Sequence, residues 1–206
     1  MKKLLLSFAF LLVNTVYAWD SLVEMENEIC CAMTNNAHLL SESFTNKLNA
    51  ALISSSVEMR GEAYVVLSIN AYQNYLNTME EHWLQTEFIN ASNAVETLVQ
   101  NFDKWQYWVA KFVYAGSYAS VSDFSNTFSE ASASLVAIGA SNYTNSSSSV
   151  ESAILGKFEM HGLDVEDALK VMSAMSAAEL GMGNVATNYA NQLPATYRNM
   201  IFDFMR

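Results

Sequence analysis

Leu84, Phe88, Ala91, Val95, Leu98, Phe102, Trp105, Val109 and Phe112 recur along the chain at alternating steps of four and three. That spacing places them on one strip of a helix with the 3.5-residue repeat of a coiled-coil seam. Glu87, Asn90, Asn93, Glu96, Gln100, Asp103 and Lys104 occupy the flanks, so the opposite face is expected to be wet. The pattern predicts one helix from about Met79 to Ala115, roughly 55 Å long at 1.5 Å per residue. Other elements must then lie against its apolar strip.

What surrounds the strip is also helical in pattern. Proline occurs once, at Pro194, and glycine seven times. The alternating apolar-polar runs that mark strands are hard to find, and Ala, Leu, Met and Glu are abundant. The expected class is all-α, an elongated bundle of about five to seven helices around one long heptad-patterned helix. Leu22, Met25, Ile29, Met33, Ala37, Leu40, Phe44, Leu48 and Ala51 define a first helical segment, with Thr34-Asn35-Asn36 as a candidate interruption. Val65, Ile69, Tyr72, Leu76, Met79 and Trp83 form a second seam, one residue out of phase with the main one. Thr78 and Glu81 have capping-box spacing. The join is therefore either a new helix near Met79 or one long helix with a one-residue skip. Gly116 is a natural stop. Ser120 with Asp123, Ser148 with Glu151, and Asp164 with Asp167 mark later helix starts, and Ala195 to Met205 is a last amphipathic segment.

The amino terminus reads as an export signal. Lys2 and Lys3 precede an uncharged apolar run from Leu4 to Val13, followed by Val16-Tyr17-Ala18. A basic start, a short apolar run and small residues before the cut are the features of a secretory signal peptide. The run is shorter than the ~20 residues a membrane span needs. Residues 1–18 are read as the signal peptide, cut after Ala18, and 19–206 as a single helical domain in a secreted, extracellular or periplasmic protein. The cut removes two of ten cations and takes the net charge from −11 to −13. The remaining cations are scattered, so phosphate backbones repel the chain and nucleic acid is excluded as an expected partner.

Cys30 and Cys31 are adjacent and cannot close a stabilising loop with each other. Small buried side chains, an intermolecular disulfide, or a strained vicinal bridge or reactive thiol stay open for the pair. Sequons at Asn90, Asn142 and Asn145 are glycosylation candidates in a eukaryotic secretory route. The last two sit in the Ser-rich stretch after Ser141, the clearest loop in the chain.

The motifs that carry chemistry are weak or misplaced. Gly181-Met182-Gly183-Asn184-Val185-Ala186 matches a dinucleotide fingerprint, which works only between a strand and a helix. A helical pattern precedes it here, so it reads as a helix break. His161 sits among Glu159, Asp164, Glu166 and Asp167, yet the spacing of a calcium loop is missing. His38, His82 and His161 are widely separated, and no nucleophile stands beside a base in sequence. No catalytic residue, metal or cofactor is expected, and the protein reads as a non-enzyme.

Trp105, Tyr107, Trp108, Phe112, Tyr114 and Tyr118 form an aromatic cluster. Trp105 and Phe112 belong to the seam. Trp108, Tyr107, Tyr114 and Tyr118 point off it and are the candidate interaction surface, because amphipathic rings are enriched at interfaces. The expected function is docking of a protein partner or a second copy through an apolar, aromatic helix face, as a secreted or surface-assembly subunit. Two alternatives stand beside it. One is a carrier of lipid or another apolar ligand, lined by the many methionines and aromatics. The other is a membrane-active helical protein, against which the acidic charge argues.

Overall fold

The computed structural model describes residues 19–143 and 148–206. The signal-peptide reading of 1–18 and the candidate sequon at Asn145 lie outside them. Among the described residues there are eleven helices and no strand. They are α1 (Leu22–Thr34), α2 (Asn36–Leu39), α3 (Glu42–Ala51), α4 (Val57–Thr78), α5 (His82–Leu98), α6 (Trp105–Ala119), α7 (Phe124–Ala140), α8 (Ser149–Lys157), α9 (Val165–Glu179), α10 (Gly183–Ala190) and α11 (Ala195–Phe204). The count exceeds the expected five to seven because short polar stretches break the segments. Asn35, for example, ends α1 and caps α2 by accepting from the Ala37 and His38 amides. None of these helices is long and apolar enough to cross a membrane.

Most starts are set by side-chain caps, which satisfy amides that no helical carbonyl reaches. Ser21, Ser41, Ser56, Asp123, Ser148 and Asp164 each accept from a first-turn amide of the helix that follows. The chain does break after Thr78. Met79 takes a left-handed φ of 57° and bonds back to the Tyr75 carbonyl, and α5 starts at His82. Gly116, by contrast, stops nothing, and α6 continues to Ala119.

The long heptad helix is not present as one rod. Its sequence is divided between α5 and α6 by a turn over 99–104, and Phe102 is 49% exposed on that turn. Asn101 and Asp103 favour local backbone hydrogen bonds over helix continuation, and the Asn101 amide donates to the Leu98 carbonyl at 2.7 Å. Glu58, in the first turn of α4, fastens the turn. It accepts from Asn101 Nδ2 at 3.2 Å and pairs with Lys104, which holds its carboxyl below the usual range.

The break folds α6 back on α5, and α5 back on α4. Ser68 donates to the Glu87 carbonyl across the α4–α5 contact, and Gln106 reaches Glu62 across α4 and α6. The α4–α5 pairing is the most extensive in the molecule. It is tight because its residues are small. A Cβ on Gly61 would lie 2.4 Å from Leu98 Cγ, so only glycine fits there. Accordingly the buried strip of α5 is Glu87, Ala91, Ala94 and Leu98. That strip shares Ala91 and Leu98 with the expected seam but is rotated about one residue, leaving Leu84, Phe88 and Val95 half-buried.

Helix α6 sits at the centre, packed by α4, α5, α7, α8 and α9. Trp105, Trp108, Val109, Phe112, Val113 and Ala115 are all buried, which spreads its apolar surface nearly all the way round. α9 packs on α7 and α10, and α1 packs on α8. A smaller cluster of Leu163, Val171, Ala174, Ala190, Leu193 and Ile201 joins α9 to the last two helices.

Candidate functional site

The four rings expected to share one surface are split. Trp108 is 2% exposed, so it belongs to the core and is not a surface anchor. The reason is the central position of α6, which covers the face that the heptad strip alone would leave open. Tyr107 is half-buried beside it, with ring centroids 4.8 Å apart, and Tyr143 approaches Trp108 at 6.2 Å. Three turns along, Tyr114 and Tyr118 form a separate group with Phe88 from α5. The two hydroxyls are 2.9 Å apart, and the Phe88 ring lies 5.4 and 5.2 Å from the two tyrosine rings. Burial and the bond to Tyr118 raise the Tyr114 hydroxyl above its ordinary pKa.

This second group borders a groove of about 700 Å³ where the end of α4, α5 and the end of α6 meet. Leu84, Phe88, Tyr75, Tyr118 and Val121 give it an apolar wall, and Glu81 and Asp123 are its carboxylate lining residues. Leu84 and Phe88 face it because of the rotation of α5 described above. Val121 is 55% exposed. The segment 120–123 closes one end, with Ser122 at a left-handed φ of 59° and the Asp123 amide donating to the Tyr118 carbonyl at 2.9 Å. A left-handed residue other than glycine costs on the order of 1 kcal/mol, and here Ser122 lines the groove.

Behind the groove lies a carboxylate that the heptad reading places on the wet flank. Glu87 is 4% exposed, because the close approach of α4 turns its face inward. It accepts from Ser120 Oγ at 2.9 Å, while its other oxygen has no protein partner. Burial pushes its pKa up to about 7, against the lowering effect of the Ser120 bond. Two more glutamates are buried without a cation. Glu62 is 1% exposed, accepts from Gln106 Nε2 at 3.1 Å, and is raised to about 8 by burial. Glu151 accepts from the Val165 amide at 3.0 Å and is raised to about 6, again by burial. A signal for two of them was present in the sequence: Glu62 lies one turn before Val65 on the second seam, and Glu87 one turn before Ala91 on the main one.

The remaining candidates are dispersed. Cys30 and Cys31 are free thiols on α1, the first half-buried and the second exposed, so consecutive side chains diverge as a helix requires. Burial raises the Cys30 thiol above its ordinary pKa. Asn90 is half-buried and faces a second groove with Asn49, Asn74 and Trp83, whereas Asn142 is exposed. His161 bonds Glu159 at 3.2 Å on the surface, and Asp164 caps α9. Among the described residues no group of three or more His, Cys, Asp or Glu is arranged to hold a metal ion. Met182 and Gly183 begin α10 after another helix, not after a strand.

No protein-family model matches the chain, and comparison with curated proteins and with solved structures finds no match.

Proposed function

We propose that the protein is exported, with residues 1–18 as its cleaved signal peptide, and that it works without catalysis by holding a protein partner in the groove between α4, α5 and α6. The observation that carries this reading is the open groove of about 700 Å³ with Phe88, Tyr118, Leu84 and Val121 turned towards it. Rings presented at the surface by rigid helices give large contact area at small entropic cost. Apolar burial at about 25 cal/mol per Å² supplies the driving force. In this reading Tyr118 and its neighbour Tyr114 are retained from the aromatic cluster, Phe88 joins them, and Tyr107 and Trp108 support α6 from within. Glycans at Asn142 and Asn145, far along the chain from the groove, are compatible with it in a eukaryotic source.

A second reading draws on the same groove. Its volume lies in the ~300–1,000 Å³ range of small-molecule sites, which favours carriage of an apolar ligand. One experiment separates the two. A photo-crosslinking amino acid replaces Val121 at the groove, or Val136, which is exposed on α7, and adducts are identified from the producing cells. A defined protein adduct at 121 and not at 136 supports protein docking. A lipid adduct at 121 alone replaces it with the carrier reading, and equal or absent labelling at both positions removes the groove from consideration.

A further inference from the structure

The groove has a charge as well as a shape. Glu81 and Asp123 are its carboxylate lining residues, and none of the described lysines or arginines lines it. Glu80, exposed beside Glu81, adds a third carboxylate, with His82 Nδ1 3.6 Å from it. Seven of the eight described lysines and arginines have partners elsewhere. Lys47 pairs with Glu28, Lys104 with Glu58, Lys111 with Glu130, Lys170 with Glu166 and Asp167, and Arg206 with Asp203. Arg60 reaches the Ser54 carbonyl and Lys157 reaches Asn36. Asp123 uses its carboxylate to cap α7 and to hold Asn126, which leaves its negative charge in place. An apolar wall lined also by two carboxylates, with none of the described lysines or arginines, is complementary to one kind of occupant.

Resting on the groove reading above, we infer that the partner segment is cationic and amphipathic, setting apolar side chains against Leu84, Phe88, Tyr118 and Val121 with lysines or arginines towards Glu81 and Asp123. An amphipathic segment laid in an apolar groove is an established recognition mode whose anchors recur at three and four residues. Opposite charges at the rim speed encounter and exclude wrong partners, and they make binding weaken with salt. An uncharged segment supplies no counter-charge to Glu81 and Asp123, and an acidic one is repelled by them. Nucleic acid and anionic lipid headgroups fail on the same sign.

The test uses two synthetic helical peptides with identical leucine positions, one with lysine and one with glutamate at every polar site. Binding to the purified full chain is followed by fluorescence anisotropy at low salt. The lysine peptide is expected to bind at least roughly tenfold tighter than the glutamate peptide. Glu81→Lys and Val121→Asp, both at exposed positions, are chosen because neither disturbs a buried group. Glu81→Lys is expected to weaken the lysine peptide roughly tenfold, and Glu24→Lys, an exposed first-turn position of α1 that supplies no groove residue, with the same change of net charge, to leave it within about twofold. Val121→Asp separates apolar seating from charge: it should weaken binding although it adds a negative charge. Equal losses from Glu81→Lys and Glu24→Lys show diffuse attraction to an acidic protein and overturn the proposal. Equal binding of the two peptides, alongside a protein adduct at position 121, overturns the cationic partner while leaving the groove reading intact. Failure of both peptides together with failure of labelling at 121 overturns both.

Discussion

Raising the pH from about 5 to about 9 should destabilise this protein, and most of the loss should trace to Glu62. Its side chain is buried between α4 and α6 and has one hydrogen-bond partner, the amide of Gln106. Its second oxygen and the Gln106 carbonyl oxygen are both buried without a partner. When Glu62 is neutral its carboxyl carries the proton that this pair lacks; when it is ionised, only acceptors remain on that side. Glu26 and Glu58 add negative charge nearby and oppose ionisation further. The folded pKa of about 8 stands against an ordinary value of 4.5. Because the folded state binds the proton more tightly, the stabilisation is complete below the ordinary value and is lost as the pH climbs through about 8. At about 1.4 kcal/mol per unit, the loss is on the order of 5 kcal/mol. Glu87 and Glu151, raised to about 7 and about 6, act in the same direction. Glu58, held low by Lys104, opposes them only below its ordinary value, so stability should peak in mild acid. A domain of this size shifts its melting temperature by about 2–4 °C per kcal/mol, so circular dichroism melts should fall by roughly 10–20 °C over this range. Glu62→Gln, which keeps the shape and cannot ionise, should flatten much of that slope. A melting temperature that rises towards pH 9, or a variant with an unchanged slope, would refute the reasoning.

Other perturbations test the packing. Gly61→Ala places a methyl against Leu98 and should cost about 1–3 kcal/mol in urea unfolding; a neutral result would mean that α4 and α5 do not cross there. Trp108→Ala should cost about 3–5 kcal/mol, as for a buried aromatic, a loss that a surface anchor would not show in the isolated chain. Phe102→Ser should stay within about 0.5 kcal/mol, and a loss of several kcal/mol would restore the continuous seam.

The local features of the fold were legible because they depend on neighbours in sequence. Ser148 with Glu151, and Asp164 with Asp167, mark helix starts by satisfying amides within one turn, and the structure places α8 and α9 there. The choice of buried face was not legible in the same way. A 4-3 count ranks Val95 above Ala94 and Phe88 above Glu87 by side-chain hydropathy. The structure inverts both choices because Gly61 draws Leu98 close to α4, which sets Ala94 on the same face, while Ser68 and Ser120 supply hydrogen bonds to Glu87 there. Phe102 fits the count equally well, but the chain turns at Asn101 beside it, whose carbonyl accepts from the Lys104 amide and whose side chain donates to Glu58, and these bonds outweigh one apolar position. For the groove, Tyr118 was visible in the sequence as an off-seam ring. Its neighbours Phe88 and Val121 were not, since they meet it only once α5 and α6 fold back on each other.

The pairing of α1 with α8 has a kinetic consequence. From α4 to α7 each helix packs against the next in the chain, so those contacts close short loops and can form early. α1 must instead find a helix from the other half of the sequence, and the entropy of closing that long loop is offset only after the middle is in place. During synthesis the first helix is therefore left waiting, with Met25, Ile29 and Met33 uncovered until Ser149–Lys157 arrives. That interval is when a chaperone has something to hold.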